Sequence, residues 1–185
     1  MVDEIFKRTA LVLRELGFRG SGQNYRKVED DFVFVVNFQR SRSGDSFYVN
    51  LGAQPTFIPA EGDAALKTLK EYECVWRRRV GTKWPQQLSD SQFQSFVDEL
   101  VTSQHAFFDH AKSFRTAVAT EPPEALLTKF SAGSTRGRAA LHLARAALAL
   151  EHSAVARELA TLGLSLAKDR AALLEAELED VLARC

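Results

Sequence analysis

The stretch FVFVVNFQRSRSGDSFYVNLG, residues 32–52, has the alternating pattern of two β-strands joined by a tight turn. Successive side chains of a strand point to opposite faces, so each predicted strand has one apolar face and one that becomes polar partway along. The apolar faces carry Phe32, Phe34, Val36, Phe38, Phe47, Val49 and Leu51. Gly44 and Asp45, between the two predicted strands, are residue types that are common in tight turns. The sequence therefore predicts a β-hairpin at the centre of the fold.

Segments on both sides of this hairpin predict the elements that support it. Residues 3–16 carry apolar side chains at helical spacing and are followed by Gly17, which favours a helix stop. Residues 18–28 predict a short hairpin that leads into the central strands, and residues 73–80 predict a further strand.

A long helix is predicted over residues 90–118. Ser89 and Gln92 have the spacing of a capping box at its start. Separate runs of strands and helices favour an α+β fold over alternating βαβ units. We therefore expect an antiparallel sheet of four or five strands, with the N-terminal helix and the long central helix covering one face.

The composition changes after Pro122 and Pro123, where Phe and Trp nearly vanish and Ala and Leu take over. Apolar stripes between Arg138 and Arg184 predict three helices. We expect two parts in the chain: an α+β sheet domain over residues 1–120 and an α-helical extension packed on it over residues 121–185.

Charge and cysteine content restrict the classes of function. The formal net charge is zero, and residues 1–120 hold 16 Lys and Arg against 15 Asp and Glu, so nucleic acid is an unlikely partner. No apolar run is long enough to span a bilayer, and the N-terminus does not have the pattern of a signal peptide, so we expect no membrane partner. Two isolated cysteines form neither a disulfide framework nor a metal-ligand pattern. We expect no metal, no cofactor and a reduced, cytoplasmic setting.

Four polar residues form the first candidate site. Asn37, Gln39, Tyr48 and Asn50 would lie on one side of adjacent antiparallel strands, close enough to form one patch. Amide side chains in the middle of a strand lower its stability, so we expect these residues to have another role. One interpretation is a groove that binds a peptide or a polar small molecule. The other is that the amides satisfy backbone groups of a loop or helix that lies across the sheet.

The second candidate is Trp76 with Arg77, Arg78 and Arg79. Alternation sends Arg77 and Arg79 to one face and Arg78 to the face of Trp76 and Cys74. An aromatic ring beside a guanidinium suits carboxylates, phosphates or bases. The alternative is that these arginines lie on a solvated strand and form ion pairs there.

Patterns typical of catalysis are weak. His105 and Asp109 are four residues apart on the long helix, but no third ligand accompanies them. Residues 131–137 contain Gly and Ser before a helix, where an anion can bind, yet they lack a phosphate-loop Lys and do not follow a strand. Cys74 is interpreted as a small apolar filler. Enzymatic activity is left open, and its absence is favoured.

Four motifs occur together in the order typical of one known family. They are Leu16-Gly17-Phe18-Arg19 followed by Gly22, then residues 36–41, residues 47–52 and residues 74–81. In these motifs the chain resembles the DUF4304 family, a mainly bacterial domain of unknown function, over about the first 120 residues. The resemblance implies that Asn37, Gln39, Asn50, Trp76 and Arg78 are signature positions, and it implies no activity or catalytic residue.

Two hypotheses of function follow. The leading one is a non-enzymatic binding or interaction module that uses the polar sheet face with Asn37, Gln39, Tyr48, Asn50, Trp76 and Arg78, and a protein or peptide partner is preferred over a small molecule. The alternative is an enzyme that acts on a phosphorylated or nucleic-acid substrate through residues 77–79. An enzyme requires a deep pocket where arginines meet a carboxylate or histidine, whereas a binding module requires a shallower face.

Overall fold

Five antiparallel strands form one sheet and lie in it in the order of the chain. The computed structural model describes residues 2–167 and 171–185. The strands are β1 (Arg19–Ser21), β2 (Asn24–Glu29), β3 (Phe32–Arg40), β4 (Ser46–Pro55) and β5 (Trp76–Pro85). The predicted central hairpin is confirmed, because Phe38 lies opposite Val49 across β3 and β4.

Helices precede and follow the sheet. They are α1 (Val2–Glu15), α2 (Asp90–Lys112), α3 (Phe114–Ala117), α4 (Pro123–Phe130), α5 (Arg136–Ala149), α6 (Ser153–Leu166) and α7 (Ala172–Arg184). Two short 3₁₀ turns, Glu61–Asp63 and Glu71–Glu73, lie between β4 and β5. The α+β class, with an N-terminal helix, a long central helix and C-terminal helices, is confirmed. No helix in the described part of the chain combines the length and apolarity needed to cross a membrane.

The start of α2 is as predicted, and its end is not. The Gln92 N–H donates to Ser89 Oγ (3.3 Å) and the Ser89 N–H donates to Gln92 Oε1 (2.9 Å), which is a capping box. The predicted helix 90–118 is interrupted at Ser113, whose hydroxyl donates to the carbonyl of His110 (2.7 Å). A serine that bonds to its own preceding turn competes with the helical hydrogen-bond pattern.

Two further differences concern chain breaks. The helix α4 was not among the predicted helices. It begins at Pro123, in a first-turn position that needs no N–H donor. The strand predicted from residue 73 begins instead at Trp76. Cys74 packs with Val33 and Val35, whereas Trp76 packs in the cluster of Phe32, so the prediction that Cys74 and Trp76 share one face was wrong.

The helix-covered face of the sheet holds most of the aromatic core. The Phe34 ring stacks on Phe108 of α2 with centroids 4.2 Å apart, and the Phe38 ring stacks on Phe6 of α1 at 5.1 Å. Such pairs add to the stability gained from burying apolar area. The predicted covering of one face by α1 and α2 is confirmed.

Residues 56–75, here named the crossing segment, cover half of the opposite face. Leu69 and Cys74 of this segment are buried against Val33 and Val35. Gln54 of β4 holds both ends of the segment, because its Nε2 donates to Ile58 O (3.0 Å) and its Oε1 accepts from the Val75 N–H (3.2 Å). The other half of this face remains open, and the candidate site lies there.

The C-terminal helices contact the sheet through one aromatic cluster and one ion network. The Trp76 ring lies 5.5 Å from that of Phe114 and 5.8 Å from that of Phe130. Glu61 of the crossing segment accepts from Arg138 (2.8 Å) and lies 2.7 Å from His142 Nε2 on α5. Side chains of α4 therefore meet the sheet, and side chains of α5 meet the crossing segment.

Candidate functional site: a polar cleft on the open sheet face

The site is built on a row of side chains that crosses four strands. Strand register places Asn24 opposite Asn37, Asn37 opposite Asn50, and Asn50 opposite Arg79. Side chains opposite one another on the same face of an antiparallel sheet are close enough to interact. The row Asn24–Asn37–Asn50–Arg79 is named the amide ladder below.

The hydrogen bonds of the amide ladder run from Arg79 to Asn24, and each member before Asn24 donates to the following one. Arg79 Nε donates to Asn50 Oδ1 (3.0 Å). Asn50 Nδ2 donates to Asn37 Oδ1 (3.2 Å), and Asn37 Nδ2 donates to Asn24 Oδ1 (2.9 Å). Because every bond runs in the same direction, the ladder is a polarised chain, in which neighbouring bonds strengthen one another.

Arg79 determines the direction of this chain. A guanidinium has donors and no acceptor, so the side-chain atom of Asn50 beside it must be the carbonyl oxygen. The amide nitrogen of Asn50 must then face Asn37, and the same argument orients Asn37 towards Asn24. The oxygen and nitrogen positions of the amides thus follow from the hydrogen-bond network.

Gln39 is an acceptor for this ladder and stands beside it. Its Oε1 accepts from Asn50 Nδ2 (3.1 Å) and from Arg79 Nη2 (3.0 Å). Two bonds occupy the acceptor capacity of this oxygen, and the amide nitrogen of Gln39 makes no hydrogen bond within the described part of the chain. Gln39 is exposed, whereas Asn37 is half-buried and Asn50 is buried. The ladder therefore presents the two N–H donors of Gln39 to solvent.

The walls of the cleft come from neighbouring elements. The Arg79 guanidinium carbon lies 4.3 Å from the ring centroid of the half-buried Tyr48, which is a cation–π contact. Glu71 and Tyr72 of the crossing segment form the opposite wall, and Tyr72 is 55% exposed. The cavity beside Glu71 and Tyr72 has a volume of about 450 Å³, within the range of ligand pockets, and its other described lining residues are Gln23, Asn37, Phe38, Gln39, Arg40 and Asn50. Tyr48 and Arg79 lie next to these residues and do not line the cavity itself.

One carboxyl group lines this cleft. Burial raises the pKa of Glu71, and the charges of Arg77 and Arg79 oppose that rise. The carboxyl therefore offsets part of the positive charge of Arg79, and the cleft combines donors, one acid and an aromatic ring.

The structure brings four of the six predicted site residues together. Asn37, Gln39, Tyr48 and Asn50 share the open face. Trp76 and Arg78 lie on the opposite, helix-covered face, because Trp76 pairs with Ala53 and Arg78 with Leu51, both in the core. Trp76 is buried, and Arg78 is exposed at the edge strand. The tryptophan is a core residue and does not line the cleft.

The three consecutive arginines do not converge. Arg77 lies on the open face, but its Nη1 donates to Tyr72 O (3.3 Å) and its Nη2 donates to Gly133 O. Arg77 thus joins β5 to the loop before α5, Arg78 faces the other side, and Arg79 belongs to the amide ladder. The three arginines therefore do not form one cluster, and Arg77 instead lines a cavity of about 540 Å³ together with Arg138 and Glu61.

Sequence reasoning missed several residues of the cleft. Arg79 had been placed on the correct face by strand alternation, and its position opposite Asn50 is the signal that would have added it to the site. Asn24 required the register of β2, which a single sequence does not specify. Glu71 and Tyr72 come from an irregular segment, and no periodic pattern places such a segment over one half of a sheet.

The weaker candidate residues lie outside the polar cleft. No group of three or more His, Cys, Asp or Glu side chains suited to a metal ion occurs within residues 2–167 and 171–185. Residues 131–135 connect α4 to α5, and Thr135 Oγ1 accepts from the Arg138 N–H (3.4 Å) as the cap of α5. Cys74 is fully buried, and burial raises the pKa of its thiol far above the ordinary value.

Fold and site together define an α+β protein in which a five-stranded antiparallel sheet carries a polar cleft on its open face. The chain belongs to the family described as Domain of unknown function (DUF4304), whose model matches residues 9–114. This match confirms the resemblance that the sequence motifs indicate. The matched region runs from α1 through the five strands to the end of α2. A search of the curated proteins gives no match, and a search of the solved structures gives none either.

Proposed function

We propose that the protein is a non-enzymatic binding module that holds an extended segment of a peptide or partner protein in the polar cleft. The amide ladder serves as a rigid support, and Gln39 is the residue that donates hydrogen bonds to the ligand. Asn37 and Asn50 form hydrogen bonds with one another and with other side chains of the ladder, whereas Gln39 is exposed.

The observation that carries this proposal is the double acceptance by Gln39 Oε1 from Asn50 and Arg79. It leaves the two amide hydrogens of Gln39 beside the remaining N–H groups of Arg79. A ligand must therefore supply acceptors, which in a peptide are main-chain carbonyls and the carboxylates of Asp and Glu. A ligand group without an acceptor would leave these donors unpaired, which disfavours its binding.

The most selective test is Gln39→Glu. This change keeps an oxygen for Asn50 and Arg79 and replaces the outward donor with an acceptor, so the ladder is preserved and the binding group is removed. The matched control is Gln94→Glu, the same chemical change at an exposed residue of α2, on the helical side of the molecule.

The measurement is a selection of random peptides against the wild-type protein, followed by the dissociation constant of the enriched peptides for the three proteins. We expect peptides rich in Asp or Glu, bound about tenfold or more weakly by Gln39→Glu, because a donor to a charged group is lost and a repulsion is gained. Gln94→Glu should bind like the wild type. Equal binding by all three proteins, or no enrichment at all, would contradict the proposal.

A further inference from the structure

A second cavity lies between α1 and the β1–β2 hairpin, on the helix-covered side of the sheet. Its volume is about 580 Å³, within the range of sites for small organic ligands. It adjoins the polar cleft, because Gln23 and Arg40 line both. Nothing in the proposed function uses this cavity.

Part of the wall of this cavity is apolar, and the rest is polar or charged. Phe6 and Ala10 of α1 are buried in its wall, and Tyr25 of β2 faces them. Leu11 lines the mouth of the cavity and is 60% exposed. A large apolar side chain at the mouth of an apolar cavity is typical of a site that admits a hydrocarbon or aromatic body.

Tyr25 brings a polar group to this apolar part of the wall. The residue is 2% exposed and lines the cavity, and its hydroxyl makes no hydrogen bond with any group in the described part of the chain. A buried tyrosine hydroxyl normally has a hydrogen-bond partner, and a group bound in the cavity can supply one here.

Basic side chains line this cavity. Lys7, Leu11 and Arg14 follow one stripe of α1 at spacings of four and three residues, and all three line the cavity. Neither Lys7 nor Arg14 forms an ion pair with another described residue, whereas Arg8 is engaged by Asp90 (3.1 Å). Glu4 is the one acid among the described lining residues.

The protonation of Tyr25 suits an anion. Burial raises the pKa of this phenol, and the charge of Arg14 opposes the rise. At neutral pH the hydroxyl therefore keeps its proton and can donate a hydrogen bond.

We infer that this cavity binds a small organic carboxylate with an apolar body. The carboxylate accepts from the Tyr25 hydroxyl and pairs with Arg14. The apolar body lies against Phe6, Ala10 and Leu11. The site combines a hydrogen-bond donor and a cation, which a free carboxylate requires, with apolar side chains that an apolar body can contact.

The test uses decanoate and decan-1-ol, which share the apolar body and differ in charge. Both are titrated into the full-length protein and followed by nuclear magnetic resonance. We expect decanoate to shift resonances of α1 and the β1–β2 hairpin and to bind at least tenfold more tightly than the alcohol. Equal affinity for the two, or shifts elsewhere in the protein alone, would overturn the inference.

Two variants assign the carboxylate contacts. Tyr25→Phe removes one oxygen atom, and Arg14→Gln changes an exposed side chain whose loss leaves the core intact. Each should weaken decanoate about tenfold and leave decan-1-ol unchanged, whereas Arg157→Gln, an exposed arginine of α6, should change neither. Unchanged decanoate binding in both cavity variants would overturn the inference, whichever way the control behaves.

Discussion

At the scale of single residues, the direction of the amide ladder depends on Arg79, the member that has donors and no acceptors. Replacing Arg79 with Met removes its bonds to Asn50 and Gln39 and leaves their oxygens without that partner. Because Arg79 is exposed, water can donate hydrogen bonds to these oxygens in its place, which reduces the destabilisation. We expect the free energy of unfolding to fall by about 1 kcal/mol, measured by urea denaturation.

The neighbouring arginine supplies the control for that measurement. Arg78→Met changes an exposed side chain on the other face of the same strand, and the expected change is within about 0.5 kcal/mol. A loss at Arg78 as large as that at Arg79 would mean that general charge effects, and not the ladder, explain the result.

At the scale of elements, the crossing segment forms the cleft wall because it approaches β4 very closely. A Cβ atom on Gly52 would lie 2.6 Å from Cys74 Sγ and 3.3 Å from the Glu71 backbone. Gly52→Ala should therefore lower the free energy of unfolding by about 2 kcal/mol, since a packed interior resists added atoms. Combining Gly52→Ala with Cys74→Ala removes the closest contact. The double variant should therefore lower the free energy of unfolding by less than the sum of the two single effects. Strict additivity in urea denaturation would contradict this account of the close approach.

The regular strands could be predicted from the sequence, and the irregular crossing segment could not. Period-two alternation placed Asn37, Gln39, Tyr48 and Asn50 on one face, because a regular strand leaves no other choice. Alternation did not extend through residue 73, because the chain enters β5 from a 3₁₀ turn and the pattern restarts at Trp76. Irregular chain has no period to follow, so the covering of Val33 and Val35 by Leu69 could not be foreseen.

Some helix boundaries could be predicted from the sequence and others could not. The capping box at Ser89 is local chemistry, and the structure has it where it was predicted. The helix after Pro123 was missed because proline both ends helices and begins them, and the sequence alone does not distinguish these roles.

At the scale of the whole molecule, we propose that residues 121–185 are a helical extension fastened to the sheet domain through Glu61. The hydrogen bond from His142 and then the Arg138 guanidinium hold the pKa of Glu61 well below its ordinary value of 4.5, although burial opposes them. Arg138 in turn donates to Glu177 of α7, so this network links the crossing segment, α5 and α7.

The sign of the pH dependence follows from that lowered pKa. A carboxyl whose pKa is lower in the folded state stabilises the protein fully above about pH 4.5, and the contribution is lost as the pH falls below that value. Glu61→Gln should lower the free energy of unfolding by about 2 kcal/mol at pH 7 and by clearly less at pH 3, in urea denaturation at both pH values. Asp63→Asn, in the same turn and exposed, is the control and should change little at either pH. A difference that grows at pH 3 would contradict the role of Glu61.

The recognition surface itself is tested most directly by hydrogen exchange of side-chain amides, followed by nuclear magnetic resonance. In the free protein, the amide hydrogens of Asn37 and Asn50 should exchange slowly because the ladder holds them, while those of Gln39 exchange as fast as in a solvated side chain. Saturation with a selected acidic peptide should slow the exchange at Gln39 and leave the two asparagines as they were. Slow exchange at Gln39 in the free protein, or exchange there that the bound peptide does not change, would contradict the assignment of this amide as the group that binds the ligand.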